Sequence, residues 1–195
     1  MKNTILSLLL IAGSLSARSQ STNWNIDPTH TNVKFAVTHL VVSEVEGNFK
    51  TFTGKVTSPS ADFNNASVEF TVDVNSINTD DANRDKHLKG DDFFNAEKYP
   101  TMKFKSTAFK KIKDNKYELT GDLTIRDVTK KVTFDVTYGG TTKDPWGNTK
   151  AGFKAKSKIN RKDYKLMWSA ATEAGGLVVS DEVEITVNIE IAKEK

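Results

Sequence analysis

The segment Val183-Glu-Ile185-Thr-Val187-Asn-Ile189-Glu-Ile191 sets an apolar residue at every second position with a polar residue between. Side chains alternate faces along a strand, so a run of this period is a half-buried strand. The same grammar recurs through the chain. Val33, Phe35, Val37 and His39 share a face against Lys34, Ala36 and Thr38, and Val68, Phe70, Val72 and Val74 alternate with Ser67, Glu69, Thr71 and Asp73. Met102, Phe104 and Ser106 follow, then Tyr117, Leu119, Gly121, Leu123 and Ile125, then Val132, Phe134, Val136 and Tyr138, and lastly Ala151, Phe153, Ala155, Ser157 and Ile159. Ser58-Pro59-Ser60, Asp114-Asn115 and Asp144–Asn148 supply turns. Trp24–Asp27 reads as a short first strand stopped by Pro28, which has no N–H for a ladder. In Glu46–Val56 the aromatics fall at both parities, which a bulge or sharp bend near Gly47 or Gly54 would reconcile. About eight or nine amphipathic strands at hairpin spacing predict an all-β antiparallel barrel or sandwich, and closure into a barrel would remove the exposed edges.

Ahead of this pattern, Lys2 precedes the apolar run Ile5–Ala12 and the small residues Gly13, Ser14, Ser16 and Ala17. That composition predicts a cleaved signal peptide over residues 1–20 and one domain over 21–195, in the periplasm or outside the cell. The run is too short for a spanning helix, and nothing later is long enough to be one. An outer-membrane barrel shares the alternation, but the strands here lack its aromatic girdles. With no Cys, the fold must hold by packing and sheet hydrogen bonds alone. The formal charge of +3 rests on 28 Lys and Arg against 25 acids; removal of Lys2 and Arg18 leaves the mature chain nearly neutral. No basic run with interleaved aromatics supports nucleic acid as a partner.

The strand pattern breaks once, from Arg84 through Phe93, Phe94 and Tyr99-Pro100. One short helix is expected near residues 80–88, with Asp80 or Asp81 at its start. A Phe-Phe loop crossing one end of the barrel should follow. Arg84 and His87, three apart, share a helix face. They either tie the helix to the barrel rim or meet a ligand's polar end.

Chemistry beyond binding finds little footing. The three His residues, His30, His39 and His87, lack metal-ligand spacing, and neither a Gly-x-Ser-x-Gly elbow nor a phosphate loop occurs. His39 is a satisfied rim histidine or a contact for a head group. What remains is apolar: Phe35, Phe70, Phe104, Phe134 and Phe153 all fall on inward faces. By periodicity alone they make an ordinary Phe-rich core.

Several stretches in order resemble the YceI-like family of lipocalin-like, polyisoprenoid-binding proteins. They are Trp24–His30, Val33–Leu40, Gly47–Phe49 with Phe52–Gly54, Arg84–Leu88, Asp92–Phe94 with Tyr99-Pro100, Phe104–Thr107, Gly121–Lys130 and Asn160–Tyr164. The chain departs from the family pattern at Asp127 and Lys165, where glycine is usual. The resemblance implies a lipocalin-like antiparallel barrel of about eight strands, left hollow, holding an isoprenoid quinone or similar amphiphilic lipid. It implies no catalytic residues, no metal and no cofactor other than the bound lipid. The tail would lie among Phe35, Val37, Phe70, Phe104, Leu123, Phe134 and Phe153, with His39, Arg84, His87, Phe93, Phe94 and Trp146 near the mouth. A homodimer is left open. Two rival readings are a filled barrel acting as a stress or interaction protein, and a hydrolase using His87 or His39 with a nearby Asp on a bound lipid.

Overall fold

The computed structural model describes residues 20–171 and 176–195. The expected signal segment, but for its last residue, therefore lies outside the described residues.

Eleven strand segments form one antiparallel sheet that closes on itself. Three pairs of segments are single staves broken in the middle. β1 (Thr22–Ile26) and β2 (Asn32–His39) both run beside β11 (Glu182–Lys193), with Pro28 in the gap between them. β3 (Ser43–Phe49) and β4 (Phe52–Ser58) return antiparallel to this first stave. β5 (Ser67–Asp73) and β6 (Ile77–Asn78), joined by a tight helical turn at Val74–Ser76, form the third. The helix α1 (Ala82–Lys89) follows, then the uninterrupted strands β7 (Thr101–Lys113), β8 (Lys116–Ile125), β9 (Val128–Lys143), β10 (Thr149–Asn160) and β11. Among the described residues the result is an up-and-down barrel of eight staves with one short α-helix. Pairing of Trp24 with Lys193 and of Ile26 with Ile191 closes it, so that no long edge is left open.

The break in the second stave falls at Lys50-Thr51 and not at Gly47 or Gly54. Those two glycines face inward and serve another purpose. A Cβ on Gly47 would sit 2.3 Å from Phe35 Cζ across the β2–β3 pair, and one on Gly54 would sit 2.8 Å from Phe70 Cδ2 across β4–β5. Gly121 does the same for Phe104, with Phe104 Cζ at 2.5 Å. Each Phe ring thus lies along the barrel wall over a glycine on the neighbouring strand, and does not project toward the barrel axis.

One end of the barrel is plugged. The β4–β5 loop delivers Phe63, 1% exposed, against Trp24, Phe153 and Tyr138 at ring distances of 5.1, 5.0 and 5.7 Å. Tyr117 Oη donates to Asp62 O at 2.6 Å and fastens that loop. Phe109, Ala151 and Ile191 complete the plug.

The other end is crossed by α1, by the loop after it and by the segment that follows β10. Asp81 starts the helix: its Oδ1 accepts from Asn83 N at 2.9 Å and Arg84 N at 3.0 Å. Arg126, at the β8–β9 turn, donates to the carbonyls of Asp91, Phe93 and Lys165 at 3.1, 3.0 and 2.9 Å. Arg161, 3% exposed, donates to Leu166 O, Trp168 O and Ser180 O and pairs with Asp181 at 3.0 Å. Two arginines therefore hold the crossing segments by their backbones, which supplies the hydrogen bonds that no ladder provides there.

Candidate ligand-binding site

Between the plug and the crossing segments lies a cavity of about 330 Å³, within the range of small-molecule sites. Phe35, Phe70 and Phe104 panel its walls, and Phe134, edge-on to Phe104 at 5.4 Å, forms its floor. Val72, Met102, Leu123, Ile159, Ile185 and Val187 fill the gaps. The glycine-backed rings explain why a Phe-rich inward face leaves a hollow: rings laid on the wall occupy the space that side chains at Gly47, Gly54 and Gly121 would have taken.

Polar groups gather toward the crossed end. Arg84 Nε donates to Thr79 Oγ1 at 2.8 Å and its Nη2 to Thr79 O at 2.7 Å, while Asp85 accepts from Thr79 N and Oγ1. Arg84 thus anchors the helix and also lines the cavity. His87 stands edge-on to Phe93 and Trp168 at 5.1 and 5.5 Å, with Nε2 3.2 Å from Asp92 Oδ2. Asp92 is 66% exposed, so this pair is hydrated rather than buried. Two other acids near His87 are engaged elsewhere, Asp85 on Thr79 and Asp91 on Arg126 and Asn95.

Of the thirteen residues singled out in the sequence, eleven line this one cavity: Phe35, Val37, His39, Phe70, Arg84, His87, Phe93, Phe94, Phe104, Leu123 and Phe134. Phe93 and Phe94 face the cavity, Phe94 also meeting Phe49 edge-on at 5.9 Å. The other two are corrected. Phe153 packs against Phe63 and Tyr138 within the plug, because β10 enters the barrel at that end. Trp146, in the β9–β10 turn beyond the plug, is 83% exposed and far from the crossed end.

Tyr164, Leu166, Trp168 and Arg161 line the cavity without having been singled out for it. They come from the irregular segment after β10, which carries no strand period to read. Tyr164 is 1% exposed, and its hydroxyl has no hydrogen-bond partner among the described residues. Burial, with a smaller push from Asp163, raises that hydroxyl to about 12, so it stays protonated and able to donate. The two departures from the glycine pattern meet: Lys165 Nζ is 2.7 Å from Asp127 Oδ2, and this bond holds the Asp127 carboxyl below its ordinary range. Lys165 adopts a left-handed backbone (φ 63°), the conformation that suits glycine best.

Asp27, His30 and Glu190 converge on the barrel's outer seam, but the Lys150 ammonium sits among them, bonded to Asp27 and 3.2 Å from Glu190. The place a cation would occupy is taken by the chain's own.

A closed antiparallel barrel, plugged at one end and hollow beneath a helix-and-loop cover at the other, defines a lipocalin-like binding barrel. Residues 24–191 match the model of the YceI-like domain, and the chain belongs to the YceI-like family. It is 38% identical over 198 residues to the protein YceI of Salmonella newport, covering 98% of this chain and 96% of that protein. Among solved structures, Burkholderia cenocepacia BcnA superposes with a TM-score of 0.72 at 27% identity, over 85% of this chain and 98% of that one. A polyisoprenoid binding domain from Saccharophagus degradans shares the fold at a TM-score of 0.64 and 16% identity, over 88% of this chain and 98% of that one.

Proposed function

We propose that the protein is a periplasmic binding and carrier protein that holds an isoprenoid-tailed lipid, of quinone or polyprenyl type, inside the barrel and performs no chemistry on it. The observation that carries this reading is the panelled hollow itself. A barrel of this size can fill with side chains, yet here three inward glycines let Phe35, Phe70 and Phe104 lie flat and leave an apolar volume. Burial of apolar chain is worth roughly 0.8 kcal/mol per CH₂, so one isoprenyl unit offers about 3–4 kcal/mol before ordering costs. The tail would supply affinity, and a few polar groups at the crossed end would orient the head. The ligand named for the Saccharophagus domain agrees in chemistry with this cavity. The amino-terminal run Ile5–Ala12 behind Lys2 supports export to the periplasm.

The test is native mass spectrometry of protein purified from its own host, followed by uptake of polyprenyl quinones by the delipidated protein. The expected result is a co-purifying or captured lipid at one per chain. A Phe70→Trp, Ala155→Leu variant, which fills the cavity from two walls, should take up none while remaining folded. Failure of the unaltered protein to carry or take up any long-chain amphiphile would contradict the reading.

A further inference from the structure

The turn between β2 and β3 breaks two local rules at one place. Val42 N donates to His39 O at 3.2 Å around Leu40 and Val41, whose φ angles are 51° and 65°. Positive φ at both central residues is the type I′ geometry that favours Asn-Gly and strongly disfavours a β-branched residue. Folding alone gives no reason to place Leu-Val there. The same residues are also turned to water: Leu40 is 41%, Val41 72% and Val42 84% exposed. Backbone strain and exposed apolar surface that coincide point to a functional demand.

The position of the turn says what that demand is. Leu40 N donates to Val178 O at 2.9 Å, and His39 bridges Val179. His39, Val178 and Val179 all line the cavity, and Leu177 beside them is 38% exposed. The apolar finger therefore stands beside the cavity mouth without lining the cavity. We infer that the Leu40-Val41-Val42 turn inserts into the surface of a phospholipid bilayer and sets the cavity mouth against the membrane that contains the cargo. This partner rests on the lipid-binding reading above. A second copy of the chain fits the turn less well, since stable protein interfaces bury about 1,000 Å² or more and three residues on a convex tip do not provide that. A bilayer interface accepts such a tip without needing a complementary surface. Glu44 and Glu46 flank the turn on β3, so the attraction is apolar and should persist at high salt.

The experiment is co-sedimentation of the delipidated protein with phosphatidylcholine vesicles, run beside uptake of geranylgeraniol from detergent micelles. The unaltered protein should pellet with vesicles at low and high salt. Leu40→Asn with Val41→Gly restores the residues that the turn geometry prefers, so the variant should fold at least as stably. It should lose vesicle binding about tenfold or more, yet take up geranylgeraniol from micelles as before. Unaltered protein that stays in the supernatant, or a variant that pellets equally, overturns the inference. So does a solution dimer that Val42→Asp dissolves, because the turn would then serve a second copy. Vesicle binding without geranylgeraniol uptake supports the docking and contradicts the cargo.

Discussion

Glycine carries much of the site at the scale of single residues. Gly47 and Gly121 both lie beneath Phe rings, but their surroundings differ. A methyl on Gly47 meets side-chain atoms, the far end of Phe35 and Thr79 Cγ2 at 2.8 Å, of which the Phe35 ring can swing away, whereas one on Gly121 also lies 2.5 Å from the Lys105 backbone carbonyl, which cannot. Gly47→Ala should therefore fold with a modest loss, displace the Phe35 ring into the lumen and weaken lipid uptake. Gly121→Ala should lose more stability than Gly47→Ala, about 1–3 kcal/mol or beyond, the scale of overpacking. Urea unfolding of the pair checks the order. Tyr164 predicts the opposite sign. A buried donor without a partner costs about 1–3 kcal/mol, so Tyr164→Phe should leave the lipid-free protein as stable or raise it by about 1 kcal/mol. A clear loss in the same assay would show that the hydroxyl has a partner. Residue types were legible in the sequence here, but their use was not: Gly47 and Gly54 read as bend signals, because which ring lies over a glycine is decided by the register of the neighbouring strand.

At the scale of elements, the seam where β1 pairs with β11 holds a charge cluster that Lys150 reaches from β10. Lys150 on β10 bonds Asp27 just after β1 and Glu190 on β11, and all three side chains are largely covered. The Lys150 ammonium, followed by the Thr29 hydroxyl, holds the Asp27 carboxyl far below the usual carboxylate range. Folded Asp27 thus binds protons less readily than unfolded Asp27. Its contribution is complete above the unfolded pKa of about 3.9 and is lost as pH falls toward the folded value. Melting temperature should fall from about pH 4 downward, and Lys150→Met should flatten that slope while lowering stability at neutral pH. An unchanged acid slope in the variant would rule out this seam as its source. Strand identity was legible wherever the period of two was unbroken, and the helix was legible from its Asp cap, one or two residues from its observed start. The stretch from Arg161 to Trp168 was not, since its order comes from backbone hydrogen bonds to Arg161 and Arg126, which leave no period in the sequence.

At the scale of the molecule, the described staves turn their apolar faces inward and their Lys, Glu and Thr faces outward, the reverse of a barrel that meets lipid along its staves. Among the described residues no helix is long and apolar enough to cross a membrane. The plug takes one part of the interior and the cavity another, and this division separates cavity residues from core residues of the same type. Phe134 and Phe153 illustrate it: both alternate inward, but only their heights along the barrel decide that one floors the cavity and the other packs against Phe63. Inward facing was readable from sequence, whereas height depends on strand stagger, which is set by closure of the whole sheet.

That volume is apolar, finite and closed at its far end, so affinity should depend on tail length in a particular way. The direct test is a binding titration of geraniol, farnesol, geranylgeraniol and longer polyprenols, each with the same hydroxyl head. Affinity should rise about tenfold or more with each isoprenyl unit, then level off once the tail reaches the Phe134 floor. Affinity that ignores tail length, or binding equally strong in the Phe70→Trp, Ala155→Leu variant, would contradict a cavity that recognises its ligand by the apolar chain.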